Sequence, residues 1–586
     1  MLSQIKSKSA LYKIDLNNLT SEENKLLNYC AIKIRKDFDN LILEISKEYK
    51  GNLNWILSSL PSRNMYLSPL FIRCCYIALI DSLLKKKRPI YEIILTDKPF
   101  SIFLKKHFKE CGYKIKIKNK ESFNKYLWYK IKPFRQFLYA LILLFLRYLG
   151  RKPLNLEIYK TNSKKILLDT FVLNSTPGDG GTIYKNKYND RYYTGIFDYV
   201  DKKEKEGIFY YPTIIGFKNP LRAFRMIRSS SEKFIIPDDF LKLSDYFKIL
   251  SHPLKILKIK FTKIKFLKYD ISYLLNEENI NNSCNHSSIF GLLNYYFALR
   301  FKNYGIKFDL LIDWYENQLL DRGMILGFNK FHKNTEVIGY QGYVISPALH
   351  LYIYPNRSEI QDQVVPHKIA VIGEKLKSNI KEFYDGLNVI VGPAFRNQKV
   401  WEKKYFQEKN KIFKILIGLP IGLKDSRVII NKLIKIERRL KEKIPELQTI
   451  IKPHPTHSVS RIKEFFNDND LNNFIFYSGD FHRKLNESNL LITNASTVAL
   501  EALAKAVPVI IIGEPNGVLQ SPIPESINNI IWEICYSNEE LLVAILRFKM
   551  SHNKNQEIYS QVAEEVKINF FSKVNRRSVR DFLGLE

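Results

Sequence analysis

Cysteine is scarce in this chain, and the few cysteines lack the spacing of a metal site or a disulfide framework. The 586 residues include six of them, which are Cys30, Cys74, Cys75, Cys111, Cys284 and Cys535. They form no CxxC pair and no Cys/His ligand spacing. This argues against structural zinc and favours the reduced thiols of a cytoplasmic protein.

A long apolar run is also missing. The most apolar segment, Phe137 to Leu149, has 13 residues, fewer than the ~20 needed to cross a bilayer. Trp, Tyr, Lys and Arg flank it, which is typical of a helix at a membrane surface, and a buried core helix is the alternative. Residues 252–268, where lysines alternate with apolar residues, are a second membrane-facing candidate or a solvated helix face. The N-terminus lacks the apolar core and cleavage site of a signal peptide, so we expect the chain to stay inside the cell.

Acidic residues are outnumbered by basic ones. The chain has 59 Asp and Glu against 92 Lys and Arg, a net charge of +33. This surplus predicts attraction to a polyanion, whether nucleic acid, anionic lipid or a phosphorylated substrate, and charge alone does not choose among them. No internal repeat or low-complexity tract is visible, and the length suffices for several domains with their own cores.

Strand and helix patterns divide the chain into four segments. Residues 1–120 predict a small N-terminal α/β extension, and residues 121–160 form an apolar, basic, membrane-associating segment. Residues 161–400 open with a buried strand at 164–174 and a glycine-rich loop, the order typical of a nucleotide-binding domain. Residues 401–586 alternate strands with helices, which predicts a second domain built on a parallel sheet.

A short β-branched run ends abruptly in Lys-Pro-His-Pro, Lys452 to Pro455. Ligands of parallel sheets bind where the strands' carboxyl ends open into loops. Prolines on both sides of His454 restrict the backbone that aims its ring. We therefore expect Lys452, His454 and Pro455 to contact a ligand, although a lone loop histidine is commonly structural.

The stretch LLITNASTVALEALAKAVPVIII, residues 490–512, has a second polar group at a strand end. The strand stops at Asn494, and Ser496 or Thr497 lies in the N-cap region of the next helix, where unpaired N–H groups favour a phosphate. Glu501 lies one turn further on and can accept hydrogen bonds from ribose hydroxyls. An ordinary cap and a helix-dipole partner are the alternatives. Its pairing with the histidine motif favours the binding interpretation.

Together, KPHP and the later TNASTVALEALAKAVPVI resemble the donor-binding half of GT-B glycosyltransferases, particularly bacterial enzymes that use CMP-activated Kdo or sialic acid. The resemblance implies that His454 and Pro455, with Ser496 and Thr497, hold the nucleotide phosphate. It implies an α/β, GT-B-like fold in which two Rossmann-type domains face a cleft, here with the N-terminal α/β extension. Ala506 stands where relatives usually have glycine.

Upstream motifs are similar to surface carbohydrate biosynthesis proteins of Gram-negative bacteria, which are related to Kdo transferases. They are residues 54–71, WYENQ, VIGYQGYVISPALHLYIYP and VPHKIAVIGE. The resemblance implies a glycosyltransferase, cytoplasmic and peripheral on the inner face of the cytoplasmic membrane. It would transfer a sugar from CMP-Kdo or a related CMP-sugar to a lipid-linked acceptor of lipopolysaccharide or capsule. Gln318, Gln341 and Gly418 are then expected in the cleft near the acceptor, and Gly342 stands where relatives often carry a histidine.

An inverting transferase needs a base for the acceptor hydroxyl, and three carboxylates are candidates. Asp179, in the glycine-rich loop PGDGG, resembles the acidic-Gly motif of bacterial sialyltransferases. Asp190 lies in YNDRYY, and Glu316 follows a strand in WYENQ. Each can equally be a turn-forming or solvated residue, and the sequence does not rank them.

We expect neither a metal nor another cofactor. The DxD at Asp468 to Asp470 precedes a strand, at the end of the sheet opposite the cleft, and is interpreted as a turn. Lys452, Arg396 and Lys424 are the cations expected to neutralise the leaving phosphate.

Two other functions fit part of the pattern. CDP-polyol phosphotransferases of teichoic-acid type also join a His-Pro motif to a serine-containing helix start. The charge would suit a nucleic-acid-binding protein, but the chain has no aromatic RNP pattern, finger or recognition-helix signature, so we expect no nucleic-acid partner.

Overall fold

The structure is a computed structural model of the chain. It describes residues 12–85, 90–161, 163–175, 180–344, 350–402, 412–494, 496–514, 517–519 and 521–586, without the side chain of Asp468. Internal contacts divide the described residues into two compact units. The first is drawn from residues 1–141, 247–289 and 514–518, and the second from 142–246, 290–513 and 519–586. The predicted domain boundaries stay predictions beside this division.

The strands, in chain order, are β1 (Tyr12–Asp15), β2 (Ile90–Leu95), β3 (Lys116–Asn119), β4 (Ile166–Leu173), β5 (Thr182–Tyr184), β6 (Lys187–Asn189), β7 (Ile208–Ile215), β8 (Lys265–Phe266), β9 (Tyr269–Asp270), β10 (Leu310–Trp314), β11 (Glu336–Gln341), β12 (Lys368–Val371), β13 (Val389–Val391), β14 (Phe413–Gly418), β15 (Leu447–Lys452), β16 (Phe474–Phe476), β17 (Leu490–Thr493), β18 (Val509–Ile512) and β19 (Trp532–Cys535).

The α-helices are α1 (Ser21–Lys33), α2 (Arg35–Lys47), α3 (Leu53–Ile56), α4 (Ser59–Ser62), α5 (Leu70–Lys85), α6 (Lys98–Glu110), α7 (Phe123–Leu149), α8 (Lys202–Lys205), α9 (Pro220–Arg228), α10 (Leu243–Leu250), α11 (His252–Ile256), α12 (Ser272–Asn281), α13 (His286–Asn303), α14 (Leu319–Phe331), α15 (Arg357–Gln361), α16 (Leu376–Ile380), α17 (Leu423–Lys443), α18 (Val459–Lys463), α19 (Asp468–Leu471), α20 (Phe481–Asn486), α21 (Val498–Leu503), α22 (Asn538–Ser551), α23 (Gln556–Phe570) and α24 (Arg576–Leu583). Short 3-10 helices lie at Leu156–Tyr159, Ile196–Tyr199, Pro237–Asp239, Leu351–Ile353 and Phe395–Trp401.

The first unit contains a parallel sheet with the order β1-β2-β3. Helix α1 begins with a capping box, in which Thr20 and Glu23 exchange hydrogen bonds with each other's backbone N–H. Inside this unit, the buried guanidinium of Arg73 donates to both carboxylate oxygens of Asp97, at 2.8 and 2.9 Å. The predicted N-terminal α/β extension is confirmed.

The second unit contains two parallel sheets, each of six strands in the described residues. The upstream sheet has the order β13-β12-β11-β10-β4-β7, and the downstream sheet has the order β16-β15-β14-β17-β18-β19. Strands such as β17 and β18 are buried along their whole length, because helices cover both faces of a doubly wound sheet. The order in which successive strands are added to the sheet reverses between the neighbouring strands β4 and β10 in the upstream sheet. In the downstream sheet it reverses between β14 and β17. The predicted GT-B-like class, two Rossmann-type domains facing a cleft, is confirmed.

The downstream sheet has an apolar core that holds its loops in place. Ile415 and Ile417 of β14 pack in one cluster with Ile429 and Leu433 of α17 and with Ile545 of α22. Each such side chain contributes about 1.5–3 kcal/mol when fully buried. The loops at the strands' carboxyl ends are therefore anchored on a rigid platform.

Helix α7 contains the predicted apolar segment but begins earlier, at Phe123. Its buried side includes Leu143 and Leu144, which are 8% and 2% exposed. At its C-terminal end the buried Arg147 donates from Nε to Asp238 Oδ1 at 3.0 Å. One side of the helix therefore packs as a core helix does, and the membrane-surface interpretation of the segment stays a prediction.

The other side of α7 is apolar and exposed. We call it the α7 stripe, and it comprises Phe123, Leu127, Ile131, Phe134, Leu138, Ile142, Phe145 and Leu149, each between 38% and 76% exposed. The spacing of three or four residues places these side chains on one face. Among the described residues, no helix is both long and apolar enough to cross a membrane.

Two buried carboxyl groups lie side by side where the upstream sheet reverses. The register of β4 and β10 places Asp313 next to Asp169, and their exposed fractions are 2% and 8%. The backbone N–H of Trp314 donates to Asp169, whereas Asp313 Oδ2 has no hydrogen-bond partner among the described residues. Burial raises the pKa of both carboxyl groups well above the ordinary value, and for Asp313 the neighbouring Asp169 adds to the shift.

We expect Asp313→Asn to stabilise the protein at neutral and alkaline pH. A carboxyl group with a raised folded-state pKa contributes stability below its unfolded pKa, and this contribution is lost as pH rises through the folded pKa. The amide of the asparagine variant does not titrate, so this loss of stability at high pH does not occur in the variant. A gain of about 1–3 kcal/mol would raise Tm by several degrees at pH 8 and by little at pH 4. Exposed Asp385→Asn is the control, and a variant less stable than wild type at every pH would contradict the prediction.

Candidate functional site

A cleft of about 470 Å³ opens where the downstream sheet reverses its strand order. Its lining combines loops that follow β14, β15 and β17 with the start of α20 and with upstream residues. The lining residues are Arg191, Thr194, Arg396, Gly418, Leu419, Pro420, Ile421, Lys452, Pro453, His454, Pro455, Phe481, His482, Ser496, Thr497, Val498 and Glu501. The two unusual motifs of the sequence thus meet in one place, as expected for the switch point of a parallel sheet.

His454 is held by its own loop. The backbone N–H of Thr456 lies 3.3 Å from His454 Nδ1, and the Thr456 hydroxyl lies 2.8 Å from the same atom. Because an N–H group only donates, Nδ1 is the acceptor and the neutral ring carries its proton on Nε2. Nearby, His457 Nε2 lies 2.8 Å from the carbonyl oxygen of Ile421 and braces the loop after β14.

The surroundings keep the His454 ring neutral. Burial, as the largest cause, and then the charges of Arg191, His457, Arg396 and Lys452 in that order together lower its pKa to about 4. The imidazole is therefore uncharged at pH 7 and offers an N–H donor. The cations around the ring make the potential at this point of the cleft positive, which favours an anion.

Cations reach the cleft from both sheets. Lys452 ends β15, and burial lowers its pKa while Asp480 opposes the shift. From the upstream side, the guanidinium of Arg396 lies 5.6 Å from the centre of the Trp314 ring. Arg191 packs closely against Gly180, since a Cβ atom added to this glycine would lie 2.8 Å from the Cβ atom of Arg191. Glu501 is the carboxylate among the described lining residues, so positive charge dominates.

The loop after β17 brings hydroxyl groups to the cleft. Ser496 and Thr497 both line it, and Thr497 makes no side-chain cap hydrogen bond to the helix that follows. Helix α21 has only 6 residues, so its dipole is short and the anion-binding character comes mainly from the cations. Asn494 is 4% exposed and is not among the lining residues. The Thr493 hydroxyl donates to the carbonyl oxygen of Gly418 at 2.8 Å, which ties β17 to β14.

A histidine that the sequence analysis missed pairs with Glu501. His482 Nε2 lies 3.1 Å from Glu501 Oε2, and both side chains are largely buried. The other ring nitrogen, His482 Nδ1, is buried without a partner among the described atoms. Arg191, Thr194 and Phe481 were missed as well. The available signal for His482 was its position in the first turn of the helix after β16.

Of the predicted carboxylates that the structure describes, neither Asp190 nor Glu316 lines the cleft. Asp179 lies outside the described residues. Asp190 accepts hydrogen bonds from the N–H groups of Tyr192 and Tyr193 and from the Tyr210 hydroxyl, at 2.8, 3.1 and 2.8 Å. Burial raises the pKa of Asp190 to about 6 against these hydrogen bonds.

Glu316 is held by its own neighbours in the loop after β10. It accepts hydrogen bonds from Trp314 Nε1 at 3.0 Å and from the side-chain amide of Gln318. Both of its oxygens are therefore engaged within this loop.

The remaining predicted residues lie apart from this cleft. Gln318 caps the start of α14, and Gln341 is 2% exposed at the end of β11. Lys424 lies in the first turn of α17. The DxD sequence falls in α19, before β16. Within the described residues, no group of three or more His, Cys, Asp or Glu side chains has the geometry to hold a metal ion.

Comparison with known proteins gives fold likeness only. No family model matches the chain, and no curated protein matches it. The S. aureus MnaA–UDP co-structure is 11% identical, with 72% of this chain and 98% of that chain covered and a TM-score of 0.40. Acinetobacter baumannii MurG is 12% identical, with 72% and 99% covered and a TM-score of 0.38. Anabaena Alr3699/HepE in complex with UDP is 9% identical, with 72% and 98% covered and a TM-score of 0.38.

Proposed function

We propose that this protein is a glycosyltransferase that uses a nucleotide-sugar donor. The donor is CMP-Kdo or a related CMP-sugar, and the acceptor is a lipid-linked precursor of a bacterial surface polysaccharide. The choice of a CMP-sugar and of this acceptor rests on the motif resemblance alone. The donor-binding role rests on the geometry of the cleft.

The observation that carries the proposal is the meeting of His454, Ser496 and Thr497 in one cation-lined cleft. A neutral imidazole N–H, two hydroxyls and the charges of Arg191, Arg396 and Lys452 offer donors to the oxygens of a phosphate. A leaving nucleotide carries negative charge as the glycosidic bond breaks. Donors and cations placed there in advance stabilise this charge in the transition state.

The acceptor hydroxyl needs a base on the upstream side, and we favour Asp190. Its pKa of about 6 suits proton transfer near neutral pH, and the adjacent Arg191 lines the cleft. Glu316 and Asp179 are the other candidates. With positive side chains supplying the charge at the phosphate, the proposed reaction proceeds without a metal ion.

We further propose that the protein works on the inner surface of the cytoplasmic membrane, where a lipid-linked acceptor is found. The α7 stripe and the net charge of +33 support this location, since exposed apolar side chains and basic residues together bind anionic bilayers.

A thermal-shift panel of CMP, CDP, UDP and GDP tests the donor assignment. A ligand at about one hundred times its Kd stabilises the native state by about 2.7 kcal/mol, which corresponds to a rise in Tm of roughly 2–4 °C for a unit of this size. We expect a cytidine nucleotide to give the largest shift. Arg396→Gln should reduce the shift, whereas Arg438→Gln, at a side chain that is 92% exposed on α17, should not.

The panel has two outcomes that overturn parts of the proposal. If no nucleotide raises Tm, the cleft does not bind donors of this kind. If CDP-glycerol is turned over and CMP-sugars are not, the protein is a polyol-phosphate transferase on the same fold.

A further inference from the structure

A second crevice, of about 650 Å³, lies at the C-terminal end of helix α7. Its lining includes Tyr148, Leu149, Arg151, Lys152, Leu156 and Tyr304. It shares no lining residue with the proposed nucleotide cleft, so a ligand bound here would be separate from the nucleotide.

Positive charge in this crevice is not balanced from within. The carboxylate of Asp239 accepts hydrogen bonds from the Lys152 backbone N–H at 2.8 Å and from Arg228 Nη2 at 2.7 Å. Arg228 therefore offsets the charge of Asp239. Neither the Arg151 guanidinium nor the Lys152 ammonium has a carboxylate partner in the part of the chain that the structure describes.

Arg151 is pre-positioned for a ligand. Its guanidinium lies over the Tyr148 ring, 5.0 Å from the ring centre, and its Nε is buried without a hydrogen-bond partner among the described atoms. A stacked guanidinium loses little freedom when it binds, and its planar fork matches the oxygens of a phosphate.

The crevice is also apolar at its rim. Leu149, Leu156 and Tyr304 are 56%, 42% and 41% exposed, and Leu149 is the last residue of the α7 stripe. Apolar side chains beside unpaired cations match the boundary of a bilayer, where phosphates lie just outside the acyl chains. A free phosphate ion would use the cations but leave the apolar rim in water.

We propose that this crevice binds the phosphate headgroup of an anionic bilayer lipid through Arg151 and Lys152, with Leu149 and Leu156 against its acyl chains. The inference shares only the membrane-surface location with the proposed function. It does not depend on nucleotide binding or sugar transfer.

Flotation of the full chain with phosphatidylcholine vesicles, with and without phosphatidylglycerol, tests the site. We expect Arg151→Gln/Lys152→Gln to weaken binding to the anionic vesicles about tenfold or more. The charge-matched control, Arg438→Gln/Lys443→Gln on α17, should change binding less than about twofold, because distant exposed charges are screened. Equal losses in both double variants would mean that the net charge binds the vesicles, and the site would be rejected.

Two further measurements distinguish a specific binding site from attraction by the overall positive charge of the protein. Arg151→Lys keeps the positive charge but lacks the forked guanidinium, so it should still weaken vesicle binding severalfold. Vesicle binding equal to that of wild type would contradict the proposed site. Short-chain phosphatidylglycerol should raise the Tm of wild type but not that of Lys152→Gln. The Lys152 side chain is exposed, so this substitution should leave the fold intact. If inorganic phosphate raises Tm as much, the crevice is a phosphate site and the lipid assignment fails. Cytidine nucleotide shifts should persist in the crevice variants, so failure here is distinguishable from failure of the proposed function.

Discussion

His454→Ala is expected to lower sugar transfer at least about a hundredfold while the fold stays intact. The substitution removes an N–H donor from the proposed phosphate site, and losing one such donor to transition-state charge costs roughly 10²- to 10³-fold in rate. The side chain is only half-buried and belongs to a loop, so core packing does not change. Release of the nucleotide product measured at saturating donor, with Tm measured in parallel, checks both parts.

Matched variants identify what the ring contributes. His454→Gln keeps an amide donor and should restore part of the rate, whereas His367→Ala, at an exposed histidine outside the cleft, should leave the rate unchanged. With a pKa of about 4, the free enzyme's His454 is neutral over about pH 5–8, so kcat/KM should show no ionisation from this residue. The usual pKa of a histidine is 6.5. If the rate of His454→Gln relative to wild type fell steeply below this pH, the charged ring of wild-type His454 would be the active form. Undiminished turnover in His454→Ala would remove the assignment.

The second large effect is expected at the α7 stripe. The triple variant Leu138→Gln/Ile142→Gln/Phe145→Gln should lose binding to anionic vesicles about a hundredfold, because each side chain contributes on the order of 1 kcal/mol when it enters the interface. These side chains are 41%, 59% and 59% exposed, and glutamine is a good helix former. Tm should therefore stay near that of wild type. Vesicle flotation and thermal unfolding measure the two quantities.

The buried side of the same helix provides the contrast. Leu143→Gln and Leu144→Gln place a polar group in the core and should lower Tm strongly, by an amount corresponding to about 2–5 kcal/mol. If the triple variant unfolds instead, the stripe packs against protein. If it stays folded and binds vesicles like wild type, the stripe is not a membrane surface.

The sequence predicted the downstream sheet well, and the reason is physical. β-branched runs separated by amphipathic helices encode parallel strands locally, and ligand-binding residues follow from where those strands end. His454, Ser496, Thr497 and Glu501 follow from this rule, and they all line the cleft. Ala506 shows its limit, because its backbone has a positive φ of 54°, a conformation that the alanine itself does not indicate.

The upstream contribution was harder to predict. Arg191 lies in an irregular segment with no periodic pattern, and only packing brings it to loops more than two hundred residues further along the chain. The surroundings of Asp190 could not be predicted for the same reason, since a sequence does not show that Tyr210 and backbone N–H groups donate hydrogen bonds to this carboxylate.

By itself, the sequence determined the alternation of strands and helices, the surplus of positive charge and the motifs at the strand ends, because each depends on neighbouring residues. Only the tertiary structure decided which cations face His454, which side of α7 is exposed, and that Asp313 lies next to Asp169. These features depend on contacts between distant segments, where packing sets exposure and nearby charges set the pKa.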